Sequence, residues 1–132
     1  MLSWTLVFIG GGVGSLLRHA ISMAAQNWQG RGDPSRFPLG TLGVNVIGCV
    51  LIGYTAGWCA QREPMRALLV VGVLGGFTTF SSFGLDTIRL LAEGRPYKAV
   101  LYVCLTTAAG LLAVWLTYET GYAVDPAVLD AD

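Results

Sequence analysis

Charged residues are scarce in this sequence, and their scarcity narrows the class of protein. Asp, Glu, Lys and Arg make up only 12% of the 132 residues, whereas soluble domains carry about 25%. Hydrophobic residues make up 54%, and the formal net charge is zero. A neutral chain gives no reason to expect a nucleic acid as a partner. The length allows one domain, and the composition favours an integral membrane protein over a soluble one.

The residue types that build catalytic and metal sites are also few. The sequence has one histidine, His19, and three cysteines, Cys49, Cys59 and Cys104, which lie in apolar stretches without CxxC spacing. Such cysteines are typical of small buried hydrophobic residues. An enzyme needs a nucleophile, a base or a set of metal ligands, and these residues assemble none of them. We therefore expect that the protein is not an enzyme.

Four stretches are long and apolar enough to cross a bilayer, which takes about 20 residues. They run over about residues 4–25, 39–60, 66–91 and 97–118. The sequence therefore predicts an all-α integral membrane protein, with a four-helix transmembrane subunit in residues 1–118. The remaining residues, 119–132, form an acidic tail that we expect to be frayed or disordered.

The loops carry only a weak signal for orientation in the membrane, which is read from their Lys and Arg residues. One side collects Arg31, Arg36, Arg95 and Lys98, and the other has Arg62 and Arg66. A chain with so small a bias can insert in both orientations, which would permit an antiparallel dual-topology dimer. The GxxxG pair of Gly53 and Gly57 is typical of close helix packing, and packing within one subunit and between subunits both remain open.

Polar residues inside the apolar stretches are spaced so that they share helix faces. Thr41 and Asn45 are four residues apart in the second stretch, and Tyr102 and Thr106 are four apart in the fourth, with Gly110 continuing the face. A single threonine often bonds to its own helix backbone, but an amide has two donors and two acceptors to satisfy. The alignment favours a shared hydrated or ion-lined path over scattered structural hydrogen bonds.

The third stretch contains the run GGFTTFSSF, residues 75–83, which lacks strong helix formers. Its hydroxyl groups compete for backbone hydrogen bonds, so we predict a break of the third helix near the middle of the membrane. Unwound backbone at that depth is tolerated only in protein or at a cavity. Free carbonyls there suit a cation, whereas free N–H groups and hydroxyls suit an anion.

Two phenylalanines of this run, Phe80 and Phe83, are three residues apart and share a face if the helix resumes. A phenyl ring has a positive edge, so ring edges directed into a pore can hold an anion weakly. Weak coordination suits fast passage. Ordinary core packing is the alternative interpretation of the pair.

Three segments together resemble the Fluc fluoride channels, also called CrcB: GGGVGSLLRH (10–19), GTLGVNVIGCVLIG (40–53) and GVLGGFTTFSSF (72–83). The resemblance implies a passive channel in the cell (inner) membrane that exports cytoplasmic fluoride and protects the cell from its toxicity. It also implies four-helix subunits in an antiparallel dual-topology dimer with two pores and a central structural sodium ion (Na⁺). The partners would be fluoride, sodium, membrane lipid and a second copy, or a sister subunit of opposite topology.

The resemblance also implies roles for individual residues. Asn45 would hydrogen-bond fluoride in the pore, and Phe80 and Phe83 would supply ring edges. The backbone carbonyls of Gly75 and Thr78 would hold the sodium ion. The remaining positions form a longer set: Thr41, Tyr102 and Thr106 on the polar track, Ser81 and Ser82 near the pore or capping the resumed helix, and Arg18 near a vestibule. His19, Asp86 and Gly110 depart from the family pattern, and Gly110 offers no side-chain hydroxyl to extend the polar track.

Two other membrane functions fit the sequence less well. A four-helix dual-topology multidrug or cation transporter would need an acidic residue in the first apolar stretch, which has none. A pure helix-packing scaffold would leave Asn45 and the phenylalanine pair unexplained.

Overall fold

A computed structural model describes residues 1–30 and 36–123 of the chain. This part is all-α and contains four helical segments that are long and apolar enough to cross a membrane, which confirms the predicted number. Three are continuous helices: α1 (Leu2–Trp28), α2 (Leu39–Trp58) and α6 (Pro96–Ala123).

The last helix is longer than the sequence indicated. It continues through residues 119–123, which were assigned to the tail. The rest of that tail and Arg31, one of the orientation residues, lie outside the described residues.

The third apolar segment, Glu63–Ala92, is not one continuous helix. Its backbone leaves the helical conformation at Thr78, with ψ of 158°, and at Thr79, with φ of −152° and ψ of 118°. Its first part also contains nine residues of π-helix, a conformation that is rare beyond a single turn. In chain order its elements are α3 (Glu63–Met65), the π-helical stretch (Arg66–Leu74), α4 (Gly75–Phe77) and α5 (Phe80–Ala92).

Glycines bring α1 against the part of the third segment that precedes the break. A Cβ built on Gly14 would overlap the Val73 carbonyl and lie 2.8 Å from the Phe77 nitrogen. A Cβ on Gly76 would overlap the Gly11 carbonyl. Only glycine therefore permits this approach of one backbone to another, which is a common way for helices to associate in lipid.

A second glycine contact joins α2 to α6. A Cβ on Gly53 would overlap the Thr117 hydroxyl, and a Cβ on Gly57 would lie 2.6 Å from the carbonyl carbon of Gly121. The GxxxG pair thus packs within the subunit, which decides between the two interpretations that the sequence left open.

The helix after the break, α5, packs against α6. Leu90 of α5 and Ala99 and Tyr102 of α6 form a buried cluster, against which Phe37, Leu42 and Phe83 pack. Most other large apolar side chains point away from the subunit, including Phe8, Trp115 and Leu116. Such an outer surface suits contact with lipid or with another membrane helix.

Candidate functional site

Thr79 caps the helix that follows the break. Its extended backbone is typical of an N-cap residue, and its hydroxyl oxygen accepts a hydrogen bond of 3.1 Å from the Ser82 backbone N–H. The same hydroxyl donates to Ser82 Oγ at 3.1 Å and lies 3.2 Å from Ser81 Oγ. The cap of the resumed helix is therefore Thr79, and not Ser81 or Ser82.

The Asn45 side chain pairs with the backbone of the same threonine. Its Oδ1 accepts from the Thr79 N–H at 2.9 Å, and its Nδ2 donates to the Thr79 carbonyl at 3.1 Å. An amide nitrogen has two hydrogens, so one N–H of Asn45 remains beyond this pair. A residue of α2 thus takes up both polar backbone groups of Thr79 at the break.

Because of this arrangement, two backbone carbonyls do not accept the N–H groups that would bond to them in a continuous helix. In a continuous α-helix each N–H bonds to the carbonyl four residues earlier, so Thr79 would engage Gly75, and Ser82 would engage Thr78. The Thr79 N–H instead bonds to Asn45, and the Ser82 N–H bonds to the Thr79 hydroxyl.

These two carbonyls are those of Gly75 and Thr78, the predicted sodium ligands. Gly75 is exposed and Thr78 is half-buried. Hard cations prefer oxygen ligands, so the donor set fits sodium. Within residues 1–30 and 36–123, no group of three or more His, Cys, Asp or Glu side chains could hold a metal ion instead.

A row of aromatic rings leads from the outside of the subunit to its interior. The ring centroids of Phe80 and Phe83 are 5.5 Å apart, and those of Phe83 and Tyr102 are 5.3 Å apart. Phe37 also meets Tyr102 edge-on, at 5.6 Å. Phe80 is 84% exposed and Phe83 is half-buried, so the two predicted ring-edge residues differ in environment, and Tyr102 at the inner end is fully buried.

Two buried hydroxyl groups on α6 make no hydrogen bond of good geometry in the described part of the chain, although the Thr41 side chain lies close to the first of them. They are Tyr102 Oη and Thr106 Oγ1. Buried polar groups are nearly always paired with protein or ordered water, and two unpaired hydroxyls one helical turn apart are unusual. They form a polar face that can bind a water molecule or an ion.

A cavity of about 560 Å³ opens next to this region. On its wall, Thr41 Oγ1 donates to Asp86 Oδ2 at 2.7 Å, and Arg89 lies 3.9 Å from the other Asp86 oxygen. The Thr41 hydroxyl proton is therefore engaged by a carboxylate. The polar side chains that line the cavity are Ser22, Gln26, Gln29, Arg36, Thr41, Ser82, Asp86, Arg89 and Glu93.

The structure brings some of the predicted site residues together and leaves others apart. Asn45 bonds to Thr79 at the break, Thr41 bonds to Asp86 of α5, and Tyr102 packs against Phe83 of α5. Thr106 lies one turn further along α6, and Phe80 and Ser81 are exposed at the outer side of the break. Arg18 is half-buried on α1 and is not among the residues that line the cavity.

Thr79 and Phe37 are the residues that the sequence did not single out. Thr79 carries a usable signal, since a threonine before a helix with a hydrogen-bonding residue three positions later is typical of an N-cap. Phe37 lies in a loop, and nothing in its neighbourhood predicts its contact with Tyr102.

A family model described as CrcB-like protein, Camphor Resistance (CrcB), matches residues 5–118 of the chain. The chain belongs to the CrcB family. The match reaches all four helical segments and includes Asn45 and the break at Thr78 and Thr79. It confirms the resemblance drawn from the three sequence segments.

Curated relatives point the same way. A protein of Azotobacter vinelandii named Fluoride-specific ion channel FluC is 46% identical over 120 residues, covering 87% of this chain and 94% of its own length. Relatives with the same name from Methylobacillus flagellatus (41% identical, 86% and 90% covered) and Pseudomonas fluorescens (46% identical, 83% and 88% covered) agree. These CrcB relatives are named as ion channels and not as enzymes. With its four apolar segments, this family member is a multi-pass membrane protein.

Proposed function

We propose that this chain is a subunit of a fluoride-selective passive channel that exports fluoride from the cytoplasm across the cell (inner) membrane and so protects the cell from fluoride toxicity. The observation that carries the proposal is the break at Thr78 and Thr79, bound by Asn45 and placed beside Phe83 and unpaired buried hydroxyls. The names of the CrcB relatives supply the ion.

The chemistry around the break suits a small, strongly hydrated anion. Fluoride enters a narrow path only where donors replace its water, and the candidates are the second N–H of Asn45 and the hydroxyls of Tyr102 and Thr106. The ring edges of Phe80 and Phe83 add weak positive poles. None of these groups carries a full charge, so fluoride is held loosely enough to pass on.

An antiparallel dual-topology dimer is supported by what the single subunit leaves exposed. Gly75 is exposed beside unwound backbone, whose polar groups lipid does not satisfy at depth, and Phe80 on the other side of the break is 84% exposed. A second copy in the opposite orientation would cover this surface and bring the two breaks together near the middle of the membrane. A sister subunit of opposite topology would serve equally. The outer apolar side chains would face lipid.

The carbonyls of Gly75 and Thr78 would hold the structural sodium ion at the centre of the dimer, one pair from each subunit. When bound, sodium would supply a positive charge that attracts the partial negative charges of four carbonyl oxygens, and it would thereby stabilise the contact between the two subunits. In support, the Thr79 and Ser82 N–H groups, which would bond to these carbonyls in a continuous helix, bond instead to the side chains of Asn45 and Thr79.

Fluoride efflux from proteoliposomes tests the proposed function. Vesicles loaded with potassium fluoride should release fluoride through the purified protein when a potassium ionophore carries the countercharge, as recorded with a fluoride electrode. Vesicles loaded with potassium chloride, recorded with a chloride electrode, should release nothing above protein-free vesicles. Equal chloride release would refute selectivity, and absent fluoride release would refute the channel itself.

The dual-topology dimer has its own test. A single cysteine placed in the loop after α2 would be labelled by an impermeant maleimide from both sides of the membrane if subunits insert both ways. The three native cysteines (Cys49, Cys59 and Cys104) would first be replaced by alanine. Labelling from one side only would contradict the antiparallel arrangement.

A further inference from the structure

The pairing of Asn45 with Thr79 has a structural role that a pore ligand alone does not need. The amide oxygen and one amide hydrogen bind the two polar backbone groups of a single residue, 34 positions away in sequence. Thr79 is buried, with 7% of its surface exposed, so water does not readily replace these bonds. A buried N–H without a partner is unfavourable, and the Thr79 N–H must therefore bond somewhere in the protein.

The acceptor that competes with Asn45 is the carbonyl of Gly75, four residues earlier, because it is the partner of this N–H in a continuous helix. The backbone is helical up to Phe77, and the Thr78 N–H already bonds to the Leu74 carbonyl at 3.0 Å. Adding one more bond of the same type would extend the helix into the break and would occupy the Gly75 carbonyl. Asn45 and Gly75 thus compete for one N–H.

Building on the proposed channel function, we infer that Asn45 is a positioning residue that keeps the helix broken: by holding the Thr79 peptide in extended conformation, it leaves the Gly75 carbonyl available to bind a cation. The second N–H of Asn45 is compatible with an additional contact to the permeating anion. The two roles differ in their consequences, because only the positioning role connects Asn45 to the conformation of Thr79 and to sodium.

Carbon chemical shifts of Thr79 give the first test, since ¹³Cα and ¹³Cβ shifts distinguish extended from helical backbone. Asn45→Leu keeps a similar volume in α2 and removes both hydrogen bonds. In this variant the Thr79 shifts should move from extended toward helical values. Asn45→Asp retains an acceptor for the Thr79 N–H, so its Thr79 should keep the extended shifts. Unchanged Thr79 shifts in Asn45→Leu would overturn the inference.

Sodium-dependent thermal stability gives the second test, because an ion that binds only the folded protein raises Tm by an amount that depends on the ratio of its concentration to its Kd. Asn45→Leu should need at least about tenfold more sodium than wild type for the same rise in Tm, with N-methylglucamine as the replacement cation. Thr106→Val is the matched control, since its hydroxyl touches neither Thr79 nor Gly75. It should keep the wild-type sodium dependence even if it lowers fluoride flux. An unchanged sodium dependence in Asn45→Leu would also overturn the inference.

Failure of this inference can be told apart from failure of the channel assignment. Wild-type protein that releases no fluoride would remove the proposed function, whatever the shifts of Thr79 are. Wild-type protein that conducts fluoride, while Asn45→Leu retains the extended Thr79 and the wild-type sodium dependence, would remove only the positioning role.

Discussion

The two halves of the third apolar segment are held in the subunit by different kinds of contact. Before the break, backbone meets backbone, and glycines on both sides leave no space for a Cβ between α1 and the π-helical stretch. After the break, side chains hold α5: Thr41 bonds to Asp86, the ring of Phe83 packs on Tyr102, and Asn45 bonds to Thr79 at the start of the helix.

This difference suggests that the two halves have different roles, the first in packing and the second in binding an ion. Glycine contacts provide close packing where lipid gives helices no hydrophobic reason to associate, and they cannot shift without a clash, so the first half is an anchor. The second half presents hydroxyls and ring edges, which can bind an ion but pack less closely. Thr78 and Thr79 join the two, and the predictions below test each side of this joint.

The largest effect is expected where the anchor is disturbed. A Cβ on Gly14 would overlap the Val73 carbonyl, and backbone cannot yield as a flexible side chain can. Gly14→Ala should therefore lower the free energy of unfolding by about 3 kcal/mol, at the upper end of overpacking effects. Thermal unfolding in detergent measures the change.

The matched control for Gly14 lies in the second half. A Cβ on Gly84 of α5 would meet nothing within 4 Å. Gly84→Ala should leave stability unchanged or raise it, because alanine favours helix over glycine by about 1 kcal/mol. Equal losses from the two variants would show that the halves are not held differently.

The next largest effect is expected on fluoride flux, from a change in the second half of the third segment, at Phe80 of α5. Phe80→Ile removes a ring edge and keeps an apolar side chain at a position that is 84% exposed in the single subunit. If ring edges contribute about 1.4 kcal/mol to the passage of the anion, flux should fall about tenfold. Leu91→Ile, at an exposed apolar position of the same helix, should conduct normally. Wild-type flux in Phe80→Ile would leave the ring with a packing role only.

A substitution at Thr79, where the two halves of the third segment meet, should lower stability by an intermediate amount. Thr79→Val keeps the shape of the side chain but removes the acceptor for the Ser82 N–H, and loss of such a cap costs about 1 kcal/mol. The control is Thr87→Val, because the Thr87 hydroxyl bonds to the Phe83 carbonyl of its own helix and caps no helix. We expect a lower Tm for Thr79→Val than for Thr87→Val, and equal values would argue against the cap.

Much of this fold follows from hydropathy and spacing. Four apolar stretches became four helical segments. The spacing of Thr41 and Asn45 predicted that they share a face of α2, and both side chains bond to residues of the third segment. Helical periodicity makes such inferences sound, because residues four apart share a face in any α-helix.

Other features depend on contacts that sequence does not display. Thr78 and Thr79 are adjacent and chemically identical, yet only Thr79 caps α5 and pairs with Asn45. Which of them does so is decided by the position of α2, which is a property of tertiary packing. The π-helical stretch is similar, since its apolar residues would fit an ordinary α-helix equally well. The glycine contacts were visible as a pattern, but their partners were not.

The smallest effect is expected from removing one oxygen atom at Tyr102, and it separates function from stability. The Tyr102 hydroxyl is buried without a hydrogen-bond partner in the described residues, while its ring packs against Phe83 and Phe37. Tyr102→Phe keeps the ring and removes an unpaired polar group, so Tm should stay the same or rise slightly. Fluoride flux should fall about threefold, because the ion loses one donor that replaces its water. If flux were unchanged and Tm fell, the hydroxyl would stabilise the fold through the neighbouring Thr41 side chain, and the polar face of α6 would not belong to the path of the ion.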